Sequence, residues 1–321
     1  MPSFLTHYLL GEQVHNNLNN NIKNIITNNY YAFSLGTNGP DLFYFNNSFP
    51  WSNRHSNKRV SNYGDISHKY NINDFFKSFI LNSNDDIAKS FLCGYLCHWA
   101  MDKTCHPYVF YNTDGSNLSL PYHKQFESTI DYLILDYIKH TNIRSIKHYK
   151  LLKYDINSID SIHNILNIIF NNVYNIDISY KDIYESCIHI YQAQRLLYDP
   201  LGIKKTSLEL IEKYILHKPY EYSSMIIPTK DPKDLDILNI SKSNWHHPLT
   251  NETYNSSFID LYNTSYDIAY KVLNLYNDYL DNKIDIDTIL NYINNENFDN
   301  GLSGDYIDNI YNDCIYEKKH K

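Results

Sequence analysis

The chain has 321 residues, and its 36 Asp and Glu outnumber 28 Lys and Arg for a formal net charge of −8. That balance argues against a nucleic-acid coat and against electrostatic adhesion to anionic lipid, but not against an enzyme whose metals supply local positive charge. Only 9 glycines and 10 prolines interrupt the chain, which favours long helices with short connections. No apolar run approaches the length of a membrane span. The segment Met1-Pro2-Ser3-Phe4-Leu5-Thr6-His7 lacks a basic stretch leading into an apolar one, so a cytoplasmic protein is expected. The cysteines (Cys93, Cys97, Cys105, Cys187, Cys314) form an odd, sparse set, unlike a disulfide framework.

Thr6 to Tyr31 reads as one amphipathic helix, with Tyr8, Leu9, Val14, Leu18, Ile22 and Ile26 near helical spacing. Gly36, Gly39 and Pro40 break it, and Leu35 to His68, rich in Asn and Ser around Pro50 and Trp51, reads as loop. A helix starts at Asn71-Ile72-Asn73-Asp74. Another runs from Asn84 to His106, where Pro107 stops it, because the residue before a proline is pushed out of the helical region. Pro121 opens a helix that carries His123 and Glu127 and continues through Asp131, Tyr132, Leu135 and Ile138. Further helices are expected over Ser158 to Tyr174, Tyr180 to Tyr198, Thr206 to His217, Ser257 to Tyr279 and Asp285 to Asn295. The Ser257 segment bears one apolar stripe, most simply core packing and not a lipid-binding face. Tyr220 to Thr250, with Pro228, Pro232 and Pro248, reads as an irregular link, and no strand ladder or fixed-period repeat is evident.

The most informative stretch runs from His98 through Asp102 to His106, followed by His123 and Glu127. His98 with Asp102, and His123 with Glu127, are spaced i, i+4, so each pair lies on one helix face. Imidazole and carboxylate suit zinc, and such a pair grips an ion from two consecutive turns. His106 lies one turn beyond Asp102, rotated by about 40°, and can serve a neighbouring ion. The loop Asn112 to Leu120 is long enough to fold the second helix against the first. Two clusters result: one around His98 and Asp102, the other around His106, His123 and Glu127. Ions held close together can activate a water and stabilise the leaving oxygen of a phosphoester. Upstream, His7, Asp41 and His68 are further candidates, with His55 as the competitor of His68.

Each candidate also has a bland structural explanation. The helical set would be a polar face, Asp41 a turn residue after Pro40, and His7 a capping or surface histidine. Cys93 and Cys97 would be small buried hydrophobes, the alternative being a metal pair. Asp65 would cap a helix, His189 would be solvated or in the core, and His246-His247 would be a loop feature or else a metal or substrate contact. Gly94 inside a helix points to close packing.

In combination, Thr6-His7-Tyr8, Gly39-Pro40-Asp41, Gly64 with His68, Gly94 through His98 and Asp102 to His106-Pro107-Tyr108, and His123 with Glu127 resemble the zinc-dependent phospholipase C family. That family shares its architecture with the S1/P1-type nucleases. The resemblance covers roughly residues 1 to 140. It implies an all-α, multi-helix phospholipase C/P1 nuclease-like bundle around a di- or trinuclear zinc site. By resemblance, Asp41, His68, His98 and Asp102 hold one Zn2+, and His106, His123 and Glu127 hold a second. Asp102 would also reach toward a third, with His7 and the N-terminal amino and carbonyl groups. Secreted members begin with a tryptophan, where this chain has Met1-Pro2.

The resulting expectation is a zinc-dependent, phospholipase C-like phosphodiester hydrolase. A metal-bound water attacks phosphorus in line, with Asp41 orienting it and acting as base. The substrate is a phosphodiester, with phospholipid the leading class. Nucleic acid is less favoured, given the acidic charge and the lack of a basic-aromatic patch. A nuclease or nucleotidase on the same scaffold, and a non-catalytic helical metal-binding protein, stand as alternatives. Residues 1–145 are expected to form the metal-binding region and residues 146–321 a helical part packing on it. Tyr44, Phe45 and Trp51 are candidate rim residues, and the oligomeric state is open.

Overall fold

The computed structural model describes residues 4–113, 120–218, 220–230 and 235–304, and among these the fold is all-α. The N-terminal amino and carbonyl groups, most of the loop from Asn112 to Leu120, Pro232 and Cys314 lie outside the described residues.

The stretch expected as one helix over Thr6 to Tyr31 is three: α1 (Phe4–Asn17), α2 (Asn21–Asn28) and α3 (Tyr30–Gly36). Asparagines make the breaks. The Asn20 side chain accepts from the Lys23 amide and caps α2, and the Asn29 amide closes it on the Ile25 and Ile26 carbonyls. Apolar periodicity runs across both breaks, because Leu9, Val14, Ile22, Ile26 and Phe33 all enter one core.

The expected loop from Leu35 to His68 is also corrected. It holds a 3-10 turn over Gly39–Phe45 and then α4 (Arg54–Lys69). Asn53 starts α4 by accepting from the His55 and Ser56 amides. The buried side of α4 is Val60, Tyr63, Gly64, Ser67 and His68. Too few of these are apolar for periodicity to reveal a helix.

After α5 (Ile72–Asn82), α6 (Asp86–Thr113) runs through Pro107 instead of ending before it. Proline removes an intrahelical bond and disfavours helix at His106. Bonds from outside hold both neighbours: His106 Nδ1 lies 2.9 Å from the Phe298 carbonyl, and the Tyr108 hydroxyl donates to the Ile237 carbonyl at 2.8 Å. Tertiary packing outweighs the local preference there.

The chain continues with α7 (Leu120–Lys139), α8 (Ile156–Tyr174), α9 (Tyr180–Leu197) and α10 (Ile203–Ile211), which widens into a π turn over Glu212–Leu216. β1 (Trp245–His246), inside the stretch expected to be irregular, pairs with β2 (Thr253–Tyr254), just beyond it, as a two-residue antiparallel hairpin. Next come α11 (Phe258–Leu280), started by a Ser257–Asp260 capping box, and α12 (Ile286–Ile293). Among the described residues, no helix is long and apolar enough to cross a membrane.

α6 is the axis of the molecule, flanked by α3 and α11 and touched by α1, α7 and α8. Its crossing with α3 is a backbone contact. A Cβ on Gly94 would lie 2.2 Å from the Phe33 carbonyl oxygen, and one on Gly36 would lie 2.2 Å from that of Phe91. Glycine at both positions lets α3 lie directly against α6, one turn before His98.

Candidate metal centre

Five elements carry the candidate ligands, all of them buried. α6 supplies His98, Asp102 and His106 over two turns, α7 supplies His123 and Glu127, and α1 supplies His7. Asp41 comes from the 3-10 turn and His68 from the last turn of α4. All eight are buried, whereas His55, the competitor of His68, is exposed at the start of α4. Gly39 adopts φ +49°, and a Cβ there would lie 2.4 Å from His98 Cδ2. Only glycine both makes this turn and clears the His98 ring, which puts Asp41 beside it.

Four of the five candidate histidines, all but His7, share one arrangement. Nδ1 of His98 faces the Thr37 carbonyl at 3.1 Å, that of His68 the Gly64 carbonyl at 2.8 Å, and that of His106 the Phe298 carbonyl at 2.9 Å. A carbonyl only accepts, so each Nδ1 carries the proton and each Nε2 is left as a lone-pair donor. His123 follows by a further step. The Thr113 hydroxyl gives its proton to the Val109 carbonyl at 2.8 Å, so at 2.9 Å from His123 Nδ1 it accepts.

Those Nε2 atoms face carboxylate oxygens. His98 Nε2 lies 2.8 Å and His68 Nε2 3.7 Å from Asp102 Oδ2. His7 Nε2 lies 3.1 Å and His106 Nε2 3.5 Å from Asp102 Oδ1. His68 Nε2 is 3.4 Å from Asp41 Oδ1, and His123 Nε2 is 2.9 Å from Glu127 Oε1. Asp41 Oδ1, both Asp102 oxygens and the Nε2 atoms of His7, His98 and His106 have no hydrogen-bond partner. Lone pairs pointed at buried carboxylates are satisfied by a positive charge between them, a proton on the ring or a bound cation. Two ligand atoms on one tetrahedral zinc sit about 3.3 Å apart, which is the spacing these pairs bracket.

Electrostatics agree. Burial would raise the Asp102 carboxyl, but the surrounding His106, His98, His7 and His68 imidazoles hold it well below the usual carboxylate range. Asp41 is lowered in the same way, burial being outweighed by the neighbouring His68 and His98 rings. Burial pushes His98 and His123 down, toward the neutral imidazole that binds metal. His68 moves the other way, up to about 10, because the Asp102 and Asp41 carboxylates overcome its burial, so its Nε2 gives up a proton when it binds metal. The donor set is oxygen and imidazole nitrogen, which fits zinc.

Among the described residues, two sets of three ligand atoms lie within 4.8 Å of one another: His7, His98 and Asp102, and Asp41, His68 and His98. The His7 and His98 rings stack with centroids 4.2 Å apart. His106, His123 and Glu127 do not form such a set, though His106 and Glu127 line one small cavity with Thr6 and Cys105.

Other sequence candidates fall elsewhere. Cys93 and Cys97 are buried free thiols, pushed up by that burial. His247 uses both ring nitrogens, Nε2 toward the Asn300 carbonyl and Nδ1 toward the Leu249 and Thr250 amides. His246 pairs with Thr253 in the hairpin, and His189 Nδ1 accepts from the Asn47 amide. Asp65 accepts from the Tyr44 hydroxyl, and the Tyr44 ring stacks on His68 at 5.8 Å. Trp51 stacks on Phe49. The sequence gives no sign of the groups that hold the ligands. Thr37 and Phe298 act through carbonyls that any residue would supply. Thr113, ten residues before His123, has no distinguishing motif.

Fold and cage together define a helical protein whose buried side chains can hold metal ions. The chain matches the family model of zinc-dependent phospholipase C over residues 6–181, more than half its length, and it belongs to that family. No curated protein matches it, and neither does any solved structure. Membership gives the general kind of function, that of a zinc-dependent hydrolase of phospholipid-type phosphodiesters.

Proposed function

We propose that the chain cleaves the headgroup phosphodiester of phospholipids by attack of water on phosphorus. The observation that carries this reading is the set of Nδ1-tied histidines whose Nε2 atoms converge on Asp41, Asp102 and Glu127. His7, Asp41, His68, His98, Asp102, His106, His123 and Glu127 would hold the zinc. Zinc bound there supplies Lewis-acid stabilisation of the phosphate oxygens and a water acidic enough to react near neutral pH.

The protein's own part is orientation and proton handling. Thr37, Gly64, Thr113 and Phe298 fix the imidazole tautomers, so nothing reorganises when substrate arrives. Asp41 stays ionised beside His68 and His98, and its Oδ1 has no hydrogen-bond partner. It orients the attacking water and takes its proton as the bond to phosphorus forms and the phosphorus–oxygen bond to the leaving alcohol breaks, and that oxygen takes up the proton on departure. Tyr44, over His68, forms one wall.

The test is hydrolysis of a choline-type phosphodiester and of single-stranded DNA by the purified protein, with chelator and with zinc restored. Chelator-sensitive, zinc-restored cleavage of the choline diester supports the proposal. Cleavage of DNA alone, or activity indifferent to chelation, contradicts it.

A further inference from the structure

The arm around α10 carries a surface the metal centre does not use. α10 has nine residues and buries none of them, and in the following π turn only Glu212 is buried. Leu201, Ile203, Leu210, Tyr214, Ile215 and Leu216 are between 46% and 69% exposed. Apolar side chains collected on one arm in this way mark a docking surface more often than a water-facing helix.

The charges on the arm are sorted. From Arg195 to Lys218 the exposed Lys, Arg, Asp and Glu side chains are Arg195, Lys204, Lys213 and Lys218, all basic, on a chain of net charge −8. Lys218 shares its charge with Glu221 at 3.6 Å. The acids of the stretch are turned inward. Asp199 accepts from the Lys205 amide at 2.8 Å. Glu212 accepts from the Tyr222 and Ser223 amides at 2.6 and 2.9 Å and from the Ser223 hydroxyl at 2.5 Å. Glu209 is half-buried. The outer face is therefore apolar and cationic together.

The arm is also tied to the helix that bears His123 and Glu127. Lys205 Nζ donates to the Ser223 and Ile226 carbonyls at 3.2 and 2.9 Å. The Ser128 hydroxyl, on the residue after Glu127, donates to the Ser224 carbonyl at 2.8 Å. The Tyr122 ring, one residue before His123, meets Tyr220 at 6.1 Å.

We infer that the Leu201–Leu216 arm docks the protein on an anionic phospholipid bilayer. Its apolar side chains enter the headgroup–acyl boundary, and Arg195, Lys213 and Lys218 meet the lipid phosphates, joined by Lys204, whose Nζ also donates to the Leu196 and Tyr198 carbonyls at 3.1 and 2.9 Å. The net acidity does not oppose this, because charges beyond a screening length of about 8 Å are largely unfelt. The inference rests on the phospholipid-hydrolase reading and adds that the substrate is met in the bilayer.

The test is flotation of the zinc-loaded protein with vesicles of phosphatidylcholine, alone or mixed with phosphatidylglycerol. Wild type, Ile215→Ser/Leu216→Ser and Lys204→Glu/Lys213→Glu are compared, each also assayed on a water-soluble choline phosphodiester. Wild type is expected to float with the mixed vesicles, less so as salt rises. Both variants should partition about tenfold less while cleaving the soluble diester as wild type does. Vesicle binding without cleavage of either diester supports the arm and contradicts the hydrolase reading. Wild type that stays unbound at low salt overturns the inference, as do variants that bind like wild type. A solution dimer abolished by the same substitutions also overturns it, since the occupant is then a second copy of the chain.

Discussion

Asp131 on α7 accepts hydrogen bonds from both the amide (2.8 Å) and the hydroxyl (2.5 Å) of Thr6, the residue before His7 on α1. Asp131 Oδ2 also accepts from the Leu5 amide at 3.2 Å. One turn earlier on the same face of α7 stands Glu127. A single helix thus offers one carboxylate to the metal centre and uses the next to cap the helix that delivers His7. Removing this cap strands several buried donors, so Asp131→Ala should lose about 2–3 kcal/mol of stability. Urea denaturation of the metal-free protein measures it. A loss no greater than at an exposed position would mean the cap is idle.

Thr113 sets the tautomer of His123 without touching metal. Thr113→Val removes the acceptor at Nδ1 while keeping the shape of the side chain. Outer bonds of this kind are worth about 10–100-fold in metal affinity. Thr113→Ser, which keeps the hydroxyl, should restore zinc affinity, read by competition with a chromogenic chelator.

The α3–α6 crossing predicts a structural cost with a functional echo. Gly94→Ala pushes a methyl into the Phe33 carbonyl, and overpacking of this kind costs about 1–3 kcal/mol. It also moves α3, and with it the Thr37 carbonyl, away from His98. Thermal denaturation should show the first effect and zinc titration the second.

Arg59 on α4 grips Asp182 on α9 through two hydrogen bonds of 2.9 and 2.6 Å. Burial would raise the Asp182 carboxyl, but the Arg59 bonds and the Ser179 cap hold it below its ordinary value. A depressed folded pKa contributes stability that is full above the unfolded value of about 3.9 and is lost as pH falls through the folded one. Arg59 is half-exposed, so the pair is worth about 1 kcal/mol after screening. The stability gap between wild type and Asp182→Asn should be constant near neutrality and close below about pH 4. A gap unchanged in acid would contradict the assignment.

The sequence displays what periodic spacing can carry. His98, Asp102, His123 and Glu127 stand out because i, i+4 pairs of ligand types have one physical meaning on a helix. Ser257 and Asp285 announce α11 and α12 because capping is local chemistry. The rest depends on relations between distant segments. α4 escapes notice because its buried side is half polar and becomes a core face only when His68 turns inward. Pro107 misleads because its helix is held by Phe298 and Ile237, far along the chain. The carbonyls that orient the imidazoles leave no trace in residue type at all.

The central claim is that this buried cage needs a divalent cation to satisfy its facing lone pairs. Elemental analysis of the purified protein, wild type beside Asp102→Asn, tests it most directly. The account predicts stoichiometric zinc in wild type and its loss from a variant that keeps its helical circular dichroism. Zinc retained undiminished by Asp102→Asn, or a wild-type protein that folds and hydrolyses phosphodiesters without any metal, would contradict it.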